Sequence, residues 1–194
     1  MIALRLLVAE DNDAVRMALV HMVESLGHEV VAEARDGQEA VNLARTAGPD
    51  LLLLDIRMPN MDGLEAAKAI IEDELRPIVI ITAYTDAGLI QRASEIGAFS
   101  YLIKPVTRER LSAAISTAQA RFNDLQALRD EVGDLQRALE SRKLVERAKG
   151  IIMRDMHVGE QEAYRWLKRT SSRSNHKLAD VARRVVALDA PPSR

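Results

Sequence analysis

Residues Leu51–Gly63 read LLLLDIRMPNMDG. Four leucines run unbroken into an aspartate. A run that is apolar at every position suits a parallel strand buried on both faces, with Asp55 at its carboxyl end. The pattern recurs on either side, in Leu6–Ala9, Val30–Ala32, Ile78–Ile81 and Tyr101–Ile103. Helical spacing fills the gaps. Val15, Leu19, Met22, Val23 and Leu26 recur at intervals of mostly three and four, and Gly27 stops that helix. Asp36 and Glu39 can cap a second helix, which runs to about Ala47. Leu64, Ala67, Ile70 and Ile71 mark a third. Leu89, Ala93 and Ile96 mark a fourth, ended by Gly97, and Leu111, Ile115 and Ala118 mark a fifth. Five strands alternating with five helices predict an α/β, doubly wound, five-stranded parallel sheet, with ligands at the carboxyl ends of the strands.

Composition narrows the function. The 194 residues suffice for one ordinary domain and a smaller second one. Cysteine is absent, which removes disulfides, thiolate metal sites and a cysteine nucleophile. His21, His28, His157 and His176 lack metal-ligand spacing. No apolar run approaches the roughly 18 residues of a membrane span, and Met1–Ala9 is too short for a signal peptide. The expected location is the cytoplasm.

Charge divides the chain. Residues 1–120 hold 11 Lys/Arg against 18 Asp/Glu, a net of −7, whereas residues 121–194 hold 16 against 11, a net of +5. An acidic front and a basic back imply two modules with different partners. Past Ala118 no loop signal appears. Leu125, Leu128, Val132, Leu135 and Leu139 form a coiled-coil stripe, with a phase slip at Phe122, Leu125 and Leu128. Three helical patterns follow. The first runs through Leu144, Ala148 and Ile151 or Ile152, and the second holds Ala163, Trp166 and Leu167. The third holds Leu178, Val181, Ala182 and Val185, with Ser174 or Asn175 as a possible cap. Trp166 is expected in the core of this small bundle.

In a doubly wound sheet, Glu10 and Asp11 after the first strand, Asp55 after the third, Thr82 after the fourth and Lys104 after the fifth gather at one edge. Three carboxylates in one crevice repel one another, and a hard divalent cation such as Mg²⁺ relieves this. A carboxylate held beside that ion and a lysine can attack phosphorus. The bland alternative is that Glu10 and Asp11 merely cap the first helix.

Residues 1–120 resemble the receiver domain of two-component response regulators, a flavodoxin-like fold. The matches are Ala9-Glu10-Asp11-Asn12, Leu54–Gly63, Ile81-Thr82-Ala83, Gly97-Ala98 and Lys104-Pro105. The resemblance implies that Asp55 is the phospho-acceptor and that a histidine kinase is the donor. It implies that Asp11, Asp55 and the Arg57 carbonyl bind Mg²⁺, with Glu10 acting through water. Lys104 would pair with the phosphoryl group, Thr82 and Tyr101 would form the switch, and Lys104–Pro105 would be cis. A haloacid-dehalogenase-like phosphatase shares the strand-end aspartate but has Asp-x-Asp at the nucleophile; here the second position is Arg57.

Residues of about 135–188 resemble the ANTAR domain of transcription antitermination regulators. The matches are Leu135, Leu139, Arg142, Val145, Ala148–Met153, Ala163-Tyr164, Leu167, Leu178, Val181-Ala182 and Val185-Val186, with Ser171 where the family usually has alanine. This divides the chain into a receiver (1–120), a coiled-coil linker (121–140), a three-helix domain (141–188) and a tail (189–194). The resemblance implies binding to RNA stem-loops in a nascent transcript by a protein dimerised through its coil. From Ser141 onward, 13 Lys/Arg face 6 Asp/Glu, which suits phosphate attraction. Arg142, Lys149, Lys168 and Arg169 are the contact candidates. Gly150 joins them because a helical glycine costs about 1 kcal/mol relative to alanine and wants a reason, either close RNA approach or tight packing. Tyr164 is a candidate stacking platform. The rival outputs are a DNA-binding helix-turn-helix and a protein-interaction module.

Overall fold

The computed structural model describes residues 3–83 and 98–189. The expected fourth helix at 89–97 lies outside the described residues. The elements are β1 (Arg5–Ala9), α1 (Asp13–Ser25), β2 (Glu29–Ala34), α2 (Gly37–Ala47), β3 (Leu51–Asp55), α3 (Gly63–Asp73), β4 (Ile78–Thr82), β5 (Ser100–Ile103), α4 (Arg108–Met156), α5 (Glu160–Ser174) and α6 (Leu178–Asp189). They form two compact units, Met1–Gln126 and Ala127–Arg194.

In the first unit the five strands are parallel in the order β2-β1-β3-β4-β5. Every residue of β3 and β4 is buried. Their side chains divide with a period of two. Leu52, Leu54, Ile78 and Ile80 pack with α2 and α3, whereas Leu51, Leu53, Val79 and Ile81 pack with Leu19 and Val23 of α1 and Leu111 and Ile115 of α4. The unbroken apolar runs are therefore those of strands covered on both faces. Register aligns the strand ends: Asp55 pairs with Ile81, and Thr82 with Ile103. The chain reverses its progression between β1 and β3, which is where such sheets open a crevice.

Helix ends follow local chemistry. Asp36 caps α2 by accepting from Glu39 N, while Glu39 accepts from Arg35 N. Asp62 and Glu65 form a capping box at α3. Gly27, at φ +84°, follows the end of α1. Lys104–Pro105 is cis.

Helix α4 is continuous from Arg108 to Met156. The phase slip marks a change of surroundings. Phe122 and Leu125 pack on the core of the first unit, with Phe122 edge-on to Phe99, so Leu125 does not belong to the free stripe. Leu128, Val132, Leu135 and Leu139 are all exposed.

In the second unit Ala148 and Ile152 of α4, Ala163 and Leu167 of α5, and Val181 and Ala182 of α6 make the core. Two expectations need correction. Trp166 is exposed and outside that core. It lies one residue, about 100°, from Leu167, and that step carries it off the buried face. Asn175 does not start α6; it is the left-handed C-cap of α5, at φ +52°, and Ser174 is the last residue of α5. Among the described residues, no helix is long and apolar enough to cross a membrane.

Candidate functional site

The carboxyl edge of the sheet gathers the acids. Glu10, Asp11 and Asp55 each present a carboxylate oxygen within 4.8 Å of the others. Glu10 and Asp55 are buried, and Asp11 is exposed. The helix-capping alternative fails. Asn12 caps α1, its Oδ1 accepting from Ala14 N at 3.0 Å and Val15 N at 3.2 Å. The two acids before it are left for the crevice.

Lys104, the residue after β5, closes the site. Its ammonium donates to Glu10 Oε2 at 2.7 Å and lies 2.8 Å from Asp55 Oδ1. Asp55 Oδ2 accepts from Arg57 N at 2.9 Å. Burial pushes Glu10 above the usual glutamate range, and the neighbouring Asp55 charge adds to this, while its bond to Lys104 offsets part of the rise. Burial opposes the Lys104 ammonium, but its bonds to Asp55 and Glu10 outweigh that and raise its pKa. Asp11, Ile56, Arg57, Met58, Pro59 and Asp62 line an opening of about 500 Å³ beside the acids.

Thr82 is buried at the end of β4, and its carbonyl accepts from Lys104 N at 2.8 Å. Tyr101 on β5 is 48% exposed. Thus Glu10, Asp11, Asp55 and Lys104 converge, Thr82 stands at the adjacent strand end, and Tyr101 is on the surface.

Two contributors were not singled out from sequence. A Cβ on Gly63 would stand 1.9 Å from the Asp55 carbonyl oxygen, so only glycine lets α3 start against the end of β3. Arg16 is buried, and its guanidinium donates to the Glu10 carbonyl at 2.8 Å and to Glu33 at 3.2 Å, besides bonding Asp13. It ties the acidic turn to α1 and β2. The signal was present: Arg16, Leu19 and Val23 share the buried face of α1 at helical spacing.

In the second unit Arg142, Lys168 and Arg169 are exposed. Lys149 differs from the sequence expectation. It is only 8% exposed, and its ammonium lies 2.8 Å from Glu146 and 2.6 Å from Glu160. Those bonds raise its pKa and lower that of Glu160. Its charge is spent tying α4 to the first turn of α5. Gly150 is exposed, and a Cβ there would meet nothing, so tight packing within the unit does not explain it.

Comparison with known proteins agrees with this division. The response regulator receiver domain family matches residues 6–116, and the ANTAR domain family matches residues 133–186. The chain is 42% identical over 188 residues to the transcriptional regulatory protein PdtaR of Mycobacterium tuberculosis, covering 97% of this chain and 92% of that protein. It is 38% identical over 117 residues to the transcriptional regulatory protein LiaR of Bacillus subtilis, covering 59% and 56%. The signal receiver domain of the response regulator NarL of M. tuberculosis superposes with a TM-score of 0.57 at 32% identity, covering 60% of this chain and 97% of that one. The receiver of a modulated diguanylate cyclase from Desulfovibrio desulfuricans superposes at 0.59 and 32%, covering 63% and 98%. Sheet order, acidic crevice and both family matches lead to one assignment: the chain belongs to the response regulators in which a receiver domain precedes a C-terminal ANTAR domain.

Proposed function

We propose that this signalling regulator is phosphorylated on Asp55 by a histidine kinase, and that its C-terminal bundle then binds RNA stem-loops in nascent transcripts and favours antitermination. The observation that carries the first half is the convergence of Glu10, Asp11, Asp55 and Lys104 at one sheet edge. An all-oxygen donor set suits Mg²⁺. Asp11, Asp55 and the Arg57 carbonyl would hold it, with Glu10 acting through water. Bound there, the ion supplies charge neutralisation for the carboxylates and the phosphoryl oxygens.

The residues divide the remaining work. Asp55 supplies the attacking oxygen and keeps the phosphoryl group, as the phosphorus–nitrogen bond to the kinase's phosphohistidine breaks and the imidazole leaves. Lys104, already bonded to Asp55, shifts its bond to a phosphoryl oxygen. The Thr82 hydroxyl donates to another such oxygen, and Tyr101 turns inward from its exposed position, changing the surface near β4 and β5. The same residues give the receiver a capacity to dephosphorylate itself.

The RNA half is supported by the ANTAR match and by the excess of cations after Ser141. Exposed Leu128, Val132, Leu135 and Leu139 support a homodimer through the coil. Two bundles on two stem-loops gain from effective concentration. The functional boundaries follow as receiver 1–120, coil 121–140 and RNA-binding domain 141–188.

A mobility shift with paired stem-loop RNA and a matched DNA duplex, each with and without phosphorylation of Asp55, tests the reading. Phosphorylation-enhanced preference for RNA is expected. Preference for the duplex, or binding to neither, would overturn the RNA half.

A further inference from the structure

Helix α5 has three kinds of surface. Ala163 and Leu167 face the core of the bundle. At about 100° per residue, Arg165, Lys168, Arg169, Ser172 and Arg173 fall on the opposite side. They form an open, basic surface on that side of the helix. Tyr164 and Trp166 fall on the two flanks of that basic face, and both are exposed, at 42% and 37%. Glu162 stands a turn before the stripe.

Among the described residues, the cations of this face have no carboxylate partner, and unlike Arg142, Arg147 and Lys177, which also lack one, they are gathered on one helix face with aromatic rings at its edges. Lys143, Lys149, Arg154 and Arg183 are each paired with a carboxylate. Among the described residues, Arg165, Lys168, Arg169 and Arg173 pair with none. Exposed aromatics beside unpaired cations suit a ligand with both negative charge and flat apolar faces. Unpaired nucleotides offer both. A duplex offers phosphates but hides its base faces in the stack. The stripe from 165 to 173 extends about 12 Å at 1.5 Å per residue, enough for more than one backbone phosphate.

We propose that the outward face of α5 grips the unpaired loop of the RNA hairpin, with loop phosphates on Arg165, Lys168, Arg169 and Arg173 and loop bases stacked on Tyr164 and Trp166. This rests on the RNA reading above and makes α5, not the Lys149 region of α4, its loop-binding surface. Base stacking is sequence-tolerant, so this face grips any unpaired loop and leaves discrimination among loops to other contacts.

The test uses the full chain and two probes: a hairpin RNA pool with a randomised loop, and the same stem as a blunt RNA duplex. Trp166 is the single tryptophan, so its fluorescence reports this face alone. The hairpin pool should quench it and the blunt duplex should not. Arg169→Gln with Arg173→Gln should weaken hairpin binding and flatten its logarithmic salt dependence by about 0.7 per arginine removed. Trp166→Leu should weaken hairpin binding about tenfold. Circular dichroism checks that both variants keep their helices. Hairpin binding that leaves Trp166 fluorescence unmoved, or that both variants retain in full, would overturn this inference while leaving RNA binding intact. Equal quenching by the blunt duplex would also overturn it. Failure of the wild-type chain to bind any RNA, phosphorylated or not, would overturn both readings.

Discussion

The Lys104 ammonium lies 2.8 Å from Asp55 Oδ1 although β4 separates their strands. Parallel pairing makes this possible. With Asp55 level with Ile81 and Thr82 level with Ile103, the residue after β5 overhangs the end of β3. The same lysine neutralises Glu10. Two buried carboxylates therefore share one cation, and that shared charge governs how the site responds to substitution.

Lys104→Met should leave Glu10 and Asp55 facing each other in a buried crevice. Loss of one partner from a buried ion pair costs about 3 kcal/mol, the low end of the range for such pairs because Lys104 is partly exposed. The melting temperature should fall in a chelator and recover with Mg²⁺ by more than in the wild type. Equal Mg²⁺ shifts in the two proteins would refute the idea that the lysine and a divalent cation relieve the same repulsion.

The same variant should show a characteristic pH dependence. Glu10 has a raised pKa in the fold, so the native state binds its proton more tightly than the unfolded chain does. Stability then falls as pH rises from the ordinary glutamate value of 4.5 through the raised one. Removing Lys104 takes away the bond that holds the pKa down. Lys104→Met should therefore melt higher at mildly acidic pH than at pH 7 and above, a trend that thermal scans across pH would expose or exclude.

Asp55→Asn keeps the size of the side chain and removes the carboxylate proposed as the nucleophile. Labelling by acetyl phosphate with Mg²⁺ should vanish while the far-ultraviolet dichroism stays unchanged. Undiminished labelling would move the phospho-acceptor elsewhere.

Lys149→Ala should lower the melting temperature of the C-terminal unit, because it cuts the tie between α4 and the first turn of α5. The stabilisation from Glu160 has a defined window. Its pKa is lowered by Lys149, so its contribution is present above the ordinary glutamate range and is lost as pH falls through the lowered value. At neutral pH and below the melting transition, hairpin affinity should change little. A tenfold loss of affinity with unchanged melting would return Lys149 to the RNA surface.

Gly150→Ala fills open space on an exposed helix face. It should stabilise the helix by about 0.5–1 kcal/mol. If RNA approaches the backbone there, the added methyl group should also weaken hairpin binding. A stability gain with unchanged affinity would place Gly150 outside the RNA surface.

The receiver crevice was legible because its signals are local. An apolar run ending in Asp55 fixes both the strand and the position of the acid, and the ends of four strands bring the site residues to one edge. The second unit was less legible because its contacts are distant or angular. Glu160 is eleven residues beyond Lys149 and reaches it only after the turn at His157–Gly159, so the burial of that lysine has no local trace. Trp166 sits next to Leu167 in sequence, yet one helical step separates an exposed ring from a buried side chain. The phase slip near Leu125 was visible, but its meaning depended on which side chains α4 lays on the sheet.

Strand order also sets how firmly each part of the crevice is rooted. Asp55 ends β3, which is hydrogen-bonded on both sides and buried throughout. Its amide protons should exchange with solvent only when the whole unit opens. Lys104 and Tyr101 belong to the neighbourhood of β5, which among the described residues is an edge strand bonded on one side. That strand can open locally while the centre of the sheet stays closed. If Asp55 takes the phosphoryl group as proposed, the receiving group is built into the slowest-exchanging part of the sheet, and the proposed responders stand on a strand that shifts at low cost.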